Sequence, residues 1–267
     1  MSKHTPILLL GAGRLGGALL DGWTLTGAFA PTDVMIRDPQ PGEVASAAAA
    51  AGAELNPADA GLGRARTVLL AVKPQVWREA AAALAPHLSP DAVIVSVAAG
   101  VKAGDISEAF GLPAARVMPI TAIAVGKGAG AVFSADAHAR AAAHALFDPV
   151  GTLADVEDEG MMDAVTAVCG SAPAYLYAFT EALEAAGEAE GLPPDVAKAL
   201  ARATMAGAAA LMDASGEEPA ELRRQVTSPN GTTEAALKVL MADDGLGPLM
   251  RKAVAAAANR SRELSKS

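Results

Sequence analysis

The chain has a single cysteine among 267 residues. Cys169 cannot close an intramolecular disulfide, and no cysteine-based metal cluster can be built from it, which fits a reducing compartment. The histidines are few and scattered: His4, His87, His138 and His144. His138 and His144 can share a helix, yet not at the i,i+4 spacing of a helical zinc pair, so no metal is expected and these rings are assigned to surface or helix-flank positions. Cations are also short, with 21 Lys and Arg against 30 Asp and Glu and a formal charge of −9, which weighs against nucleic acid. Long apolar runs are missing too. Hydrophobic residues reach 52%, yet no run approaches the ~20 residues needed to cross a bilayer. The start, Met1 to Pro6, leads into Ile7–Leu10 and glycines and not into a signal-peptide core, so the cytoplasm is the expected compartment. Aromatics are only 3%. Alanine-rich helices pack closely but bury little area each, so association with further copies is expected.

What is present divides in two. Up to about Val150, short β-branched runs alternate with helical stretches, the pattern of a parallel sheet covered by helices. Expected strands are Ile7–Leu10, Val34–Ile36, Val68–Val72, Val93–Val97, Arg116–Met118 and Ala131–Phe133. Helices are expected near Ala18–Leu25, Glu43–Ala51, Gln75–Leu84 and Ala103–Phe110. Beyond Val156 the pattern is helical: Ala172–Glu190, a stretch from Pro193 to about Ala214, Pro219–Gln225, Thr233–Ala242 and Leu246–Leu264. The expectation is an α/β Rossmann-like N-terminal domain with a mostly parallel sheet over 1–152, followed by an all-α domain over 153–267.

Gly11-Ala12-Gly13-Arg14-Leu15-Gly16 follows the first expected strand and opens a helix. In that context the first glycine permits the turn, the second lets backbone approach a pyrophosphate, and the third lets helix and strand pack. About 20 residues on, where ribose recognition is expected, stand Arg37 and Asp38. Asp38 can accept from a 2'-hydroxyl and Arg37 can pair with a 2'-phosphate, while the two also read as a surface ion pair before Pro39. The cation tips the reading to NADPH with NADH open. Val72, Lys73 and Pro74 follow the third strand and Ala98 and Ala99 the fourth, where open α/β sheets bind ligands. Lys73 can reach a phosphate, or can be an exposed helix-start lysine. Gly126–Gly130 lacks the Ser or Thr of a phosphate loop and reads as a turn.

Two small, hydroxyl-bearing helix starts stand out in the helical half. Ser171 reads as an N-cap ahead of Pro173, with room for a ring-shaped ligand to approach the backbone. Ser228-Pro229-Asn230-Gly231-Thr232-Thr233 offers hydroxyls and free N–H groups at a helix start, a site for a small anion such as a carboxylate, or a capped turn without ligand.

Taken in order, Gly11–Gly16, Ala71–Pro74, Val97–Val101, Arg116–Pro119, Gly170–Tyr175 and Ser228–Thr233 make the chain resemble the pyrroline-5-carboxylate reductase family over nearly its full length. That resemblance implies NAD(P)H, cofactor contacts from Gly11–Gly16, Arg37, Asp38, Val72, Lys73, Ala98, Ala99 and Gln225, and substrate contacts from Ser228, Gly231, Thr232 and Thr233; the strand-end and helix-start readings above add Pro74 to the cofactor set and Ser171 to the substrate set. It implies C-terminal helices that interlock between subunits, and hydride transfer to the C=N bond of 1-pyrroline-5-carboxylate to give L-proline, with Thr233 hydrogen-bonding the ring nitrogen or relaying its proton. The acidic turn near Glu159 aligns loosely. Ile120 and Ala122 stand where the family reads Asn and Pro, and Ala172 and Asn230 replace glycines. A reductase of another cyclic imine therefore stays open. A β-hydroxyacid-dehydrogenase-like oxidoreductase is the nearest other class, although the interdomain helix lacks the lysine such enzymes use. A cofactor-binding regulatory protein without turnover is the non-enzymatic alternative.

Overall fold

The computed structural model describes residues 3–265; Met1 and Ser2, part of the stretch read for a leader, and Lys266 and Ser267 lie outside the described residues. Eight strands form one sheet: β1 (Ile7–Leu10), β2 (Val34–Arg37), β3 (Glu54–Leu55), β4 (Thr67–Leu70), β5 (Val93–Ser96), β6 (Ala114–Pro119), β7 (Gly128–Phe133) and β8 (Gly151–Asp155). Their order is β3-β2-β1-β4-β5-β6-β7-β8. β7 runs antiparallel to β6, the other pairs being parallel.

The helices α1 (Arg14–Thr26), α2 (Glu43–Ala50), α3 (Trp77–Leu84), α4 (Ala103–Phe110) and α5 (Ala137–Phe147) accompany the sheet. Alternation along β1 sorts the core: Ile7 and Leu9 pack with α1, α2 and α5, whereas Leu8 and Leu10 join Trp77, Ile106 and Phe110 on the other side. Each such buried aliphatic side chain contributes about 1.5–3 kcal/mol. Trp23 fastens α1 to α5 by donating its indole N–H to the Leu146 carbonyl at 2.8 Å.

Chain clustering gives two compact units: one holds the sheet up to Gly170 together with residues from Ala258 onward, the other spans Ser171–Ala257. The expected boundary at 152 falls inside β8, whose register with β7 runs from Gly151 to Asp155. The strand was hidden because its outward residues, Thr152, Ala154 and Asp155, are exposed and only Leu153 is buried. After β8 the chain turns into α6 (Met162–Val165) and a π-helical segment, Thr166–Gly170. A final stretch of the last helix rejoins this unit, where Ser261 donates to Asp163 at 2.6 Å.

The second unit contains α7 (Ala172–Ala189), α8 (Pro194–Ser215), α9 (Pro219–Gln225), α10 (Thr232–Leu240) and most of α11 (Leu246–Leu264). Taken by itself it has almost no interior: among its described residues only Ala197 and Ala201 are fully buried. Leu176, Phe179, Leu211 and Val239 are exposed. No helix among the described residues is long and apolar enough to cross a membrane.

One histidine departs from expectation. His4 is buried with only 5% of its surface exposed, its ring centroid 5.9 Å from that of His138. Burial, followed by the charges of Lys3 and His138, holds its pKa below the ordinary 6.5.

Candidate active site

The carboxyl ends of β2, β1, β4 and β5 stand side by side in the sheet, and the loops that leave them carry most of the expected cofactor residues. β1 ends at Leu10, and Gly11 turns the chain at φ +89°, its N–H bonded to the Arg37 carbonyl at 2.9 Å. A Cβ on Gly11 would lie 2.9 Å from the Ala71 carbonyl oxygen, and one on Gly16 would lie 2.1 Å from that of Gly11. Gly13 differs: its Cβ would meet nothing within 4 Å. Gly11 and Gly16 thus serve the packing of strand against helix, while Gly13 keeps space open beside the start of α1. No side chain caps that helix and no acidic residue occupies its first turn. The free N–H groups and the helix dipole suit a bound pyrophosphate, and the open side of Gly13 lets one approach. Arg14 is exposed and Leu15 half-buried, packed against the core. The residues present fit a dinucleotide.

One loop N–H is already engaged, since Ala12 donates to Asp38 Oδ2 at 2.7 Å while Oδ1 of the same carboxylate accepts from Gln40 N–H at 2.8 Å. Arg37 does not pair with Asp38. Its guanidinium donates to the Pro57 carbonyl and pairs with Asp59 at 2.9 Å. The alternative reading, a surface ion pair within the Arg37–Asp38 turn, does not hold; the pair reaches across to the segment after β3 instead. Asn56 holds that segment to the turn. At φ +51° it accepts the Asp38 N–H at 3.0 Å and donates to the Asp38 carbonyl at 2.9 Å. Asn56 and Asp59 went unnoticed in the sequence, although the Asn56-Pro57 pair is itself a turn signal.

After β4, Ala71 donates to the Leu10 carbonyl at 2.8 Å and Val72 lies against Gly11, while Pro74 is half-buried and Lys73 exposed. Past β5, Ala98 is buried and its N–H reaches Ser96 Oγ at 3.2 Å, while Ala99 is exposed. This loop is anchored from a distance. Glu159 accepts the N–H of Ala103, first residue of α4, at 2.8 Å, and the same oxygen lies 3.3 Å from Arg116 on β6. Arg116 is 4% exposed, and its Nε and Nη2 have no hydrogen-bond partner among the described residues. The acidic turn that aligned only loosely in sequence thus has a definite structural partner.

Ser171 stands at the N-cap position of α7, as the sequence suggested, but does not cap it. Its backbone is already helical and its side chain makes no capping bond, because the π-helical segment runs straight into α7. A Cβ on Gly170 would lie 3.4 Å from Met118 Sδ, so the segment passes close to the end of β6. Burial pushes the Cys169 thiol up, away from thiolate chemistry.

The helical unit brings Ser228, Gly231, Thr232 and Thr233 onto one turn. Gly231 N–H bonds back to the Ser228 carbonyl at 3.0 Å, and α10 then starts at Thr232 without a side-chain cap. Asn230 sits at φ +56°, a left-handed conformation that explains the family's glycine there and that asparagine tolerates better than most residues. Its N–H is taken by Glu234 at 2.6 Å. Lys238, then that N–H, holds the Glu234 carboxyl below the usual carboxylate range. Gln225, an expected cofactor residue, ends α9 with its amide donating to Glu217 and Glu221 at 2.6 and 3.2 Å.

Comparison with known proteins assigns both regions. Residues 159–264 match the family model described as pyrroline-5-carboxylate reductase dimerisation, and residues 6–100 match one described as NADP oxidoreductase, coenzyme F420-dependent. The pyrroline-5-carboxylate reductase of Pseudomonas aeruginosa is 39% identical over 97% of this chain and 96% of its own length. That of Pisum sativum is 36% identical over 99% and 98%. Among solved structures, a pyrroline-5-carboxylate reductase from Coxiella burnetii superimposes with a TM-score of 0.90 at 30% identity, covering 99% of this chain and all of that one. Motifs at both ends, a glycine loop that fits a dinucleotide and near-complete coverage agree: the chain belongs to the pyrroline-5-carboxylate reductase family.

Proposed function

We propose that the chain reduces the C=N bond of 1-pyrroline-5-carboxylate with NAD(P)H, giving L-proline as the last step of proline biosynthesis. The observation that carries this reading is the match to pyrroline-5-carboxylate reductases over 97% of the chain. The open side of Gly13 at the uncapped start of α1 supports it physically.

When bound, the reduced nicotinamide supplies the hydride. The protein's task is then placement, since a protonated cyclic imine is already an electrophile and needs neither a metal nor a His/Asp pair. The first turn of α1 holds the pyrophosphate. Ala98 and Ala99 leave room for the nicotinamide half, and Lys73 answers a phosphate or ribose hydroxyl. Ser228, Gly231 and Thr232 hold the substrate carboxylate through hydroxyls and N–H groups at the uncapped start of α10. Thr233 hydrogen-bonds the ring nitrogen and steadies its proton. The family resemblance adds Gln225 to the cofactor contacts, and the helix start at Ser171 offers small residues for the substrate ring. The single thiol fits a cytoplasmic enzyme. Self-association follows from the dimerisation domain matched by residues 159–264 and from the exposed apolar side chains there.

Steady-state oxidation of NADPH and of NADH against a panel of cyclic imines tests the reading. The expected outcome is highest kcat/KM with 1-pyrroline-5-carboxylate. Preference for another ring would move the assignment to a different imine, which half-buried Ile120 and Ala122 keep in view. A folded, coenzyme-bound protein that oxidises neither coenzyme would overturn it.

A further inference from the structure

At the end of β2 a guanidinium is held by a carboxylate from the segment after β3. Arg37 Nη2 lies 2.9 Å from Asp59 Oδ1, with side-chain exposures of 34% and 50%. Its Nη1 is given to the Pro57 carbonyl. On the same turn, each oxygen of Asp38 already accepts one backbone N–H, from Ala12 and from Gln40. Arg37 and Asp59 line, with Pro39, Asn56, Pro57 and Ala58, an open hollow of about 570 Å³. That hollow adjoins the strand end at which a Rossmann sheet meets the ribose of its coenzyme.

We propose that Asp59 sets coenzyme selectivity by holding Arg37. The inference rests on the dinucleotide reading above and adds a residue to it. A phosphate on the ribose 2'-oxygen gains a charge-assisted, two-pronged contact only with a free guanidinium. Here it must first displace Asp59 from Arg37. NADH carries only a hydroxyl at that position. Asp59 therefore costs NADPH binding and leaves NADH binding nearly untouched, drawing the two affinities together.

The pair can be separated by calorimetric titration of the intact protein with NADP⁺ and NAD⁺, using wild type, Asp59→Asn, Arg37→Ala and the double variant. Asp59→Asn keeps the side chain's size at a half-exposed position; Asp59→Ser, which keeps only a hydroxyl, stands in if the first variant does not fold. With its charge-assisted pair reduced to a neutral hydrogen bond, Arg37 is released more easily and is expected to tighten NADP⁺ relative to NAD⁺ at least about threefold, a gain that disappears when Arg37→Ala is added. An unchanged affinity ratio overturns the inference alone. So does a gain that survives Arg37→Ala, because the effect would then be loss of a negative charge and not release of Arg37. Failure of the wild type to bind either coenzyme overturns both this inference and the reading on which it rests.

Discussion

At the scale of single residues, the glycine loop separates two roles that its spacing makes look alike. Gly16→Ala drives a methyl to 2.1 Å from the Gly11 carbonyl oxygen, whereas Gly13→Ala meets nothing within 4 Å. The first substitution is expected to lower the melting temperature and coenzyme affinity together. The second should leave melting unchanged and weaken the coenzyme, because its methyl enters space that only a ligand would use. Thermal melts paired with titration of protein fluorescence by NADPH check both, and a Gly13→Ala protein that binds normally would refute the role given to that space. Arg116 and Glu159 carry a different kind of weight. Removing one member of a buried ion pair strands the other, at a cost of about 3–5 kcal/mol. Arg116→Met should accordingly destabilise the protein by about 3 kcal/mol, with the midpoint of urea unfolding as the readout. Adding Glu159→Gln should restore much of that loss, since the amide oxygen still accepts the Ala103 N–H without leaving a charge unpaired.

At the scale of elements, legibility followed burial on both faces. β1, β2, β4 and β5 are continuous apolar runs and were readable to within a residue or two. β3 is only two residues long and β8 shows one buried side chain, so neither presents a pattern to a sequence reader. The helix at Ser171 misled for a related reason. Gly170, Ser171 and Pro173 look like a helix start, but the chain is already wound in a π-helical turn that no local propensity announces. Long-range partners were the least legible part of the site. The link from Arg37 to Asp59 crosses 22 residues and that from Arg116 to Glu159 crosses 43, and charges at such separations cannot be paired by inspection. The start of α10, by contrast, was legible because its hydroxyls, glycine and N–H groups are contiguous. Thr233 belongs to this element and its hydroxyl makes no hydrogen bond among the described residues. Thr233→Ala is expected to leave the fold and NADPH binding intact while lowering kcat with 1-pyrroline-5-carboxylate about tenfold or more. Ser228→Ala should act chiefly on substrate KM. Unchanged turnover in the Thr233 variant would remove that residue from the chemistry.

At the scale of the whole molecule, two unequal interiors set stability. The sheet-bearing unit buries His4 in its neutral form, and the sign of its pH response follows. A histidine whose folded pKa is depressed adds stability above its ordinary value of 6.5 and loses it as pH falls through the folded value, because the unfolded chain takes up the proton first. Melting temperature should therefore fall as pH drops from 6.5 toward the folded value, and His4→Phe should flatten part of the fall. The helical unit has almost no interior of its own. Ala197 and Ala201 are its fully buried residues among those described, while Leu211 at 57% and Val239 at 73% exposure present apolar surface to solvent. A unit of five helices cannot offset the conformational entropy of so many ordered residues with two buried methyl groups. Its stability must come from apolar surface covered by a second copy, as the dimerisation domain requires. Assembly and folding are then linked, and the melting temperature should rise with protein concentration. Charge placed on the helical faces tests the link directly. Leu211→Glu combined with Val239→Glu should shift sedimentation toward the monomer and abolish the concentration dependence of melting. A double variant that sediments and melts like the wild type would show that these faces are not the ones covered.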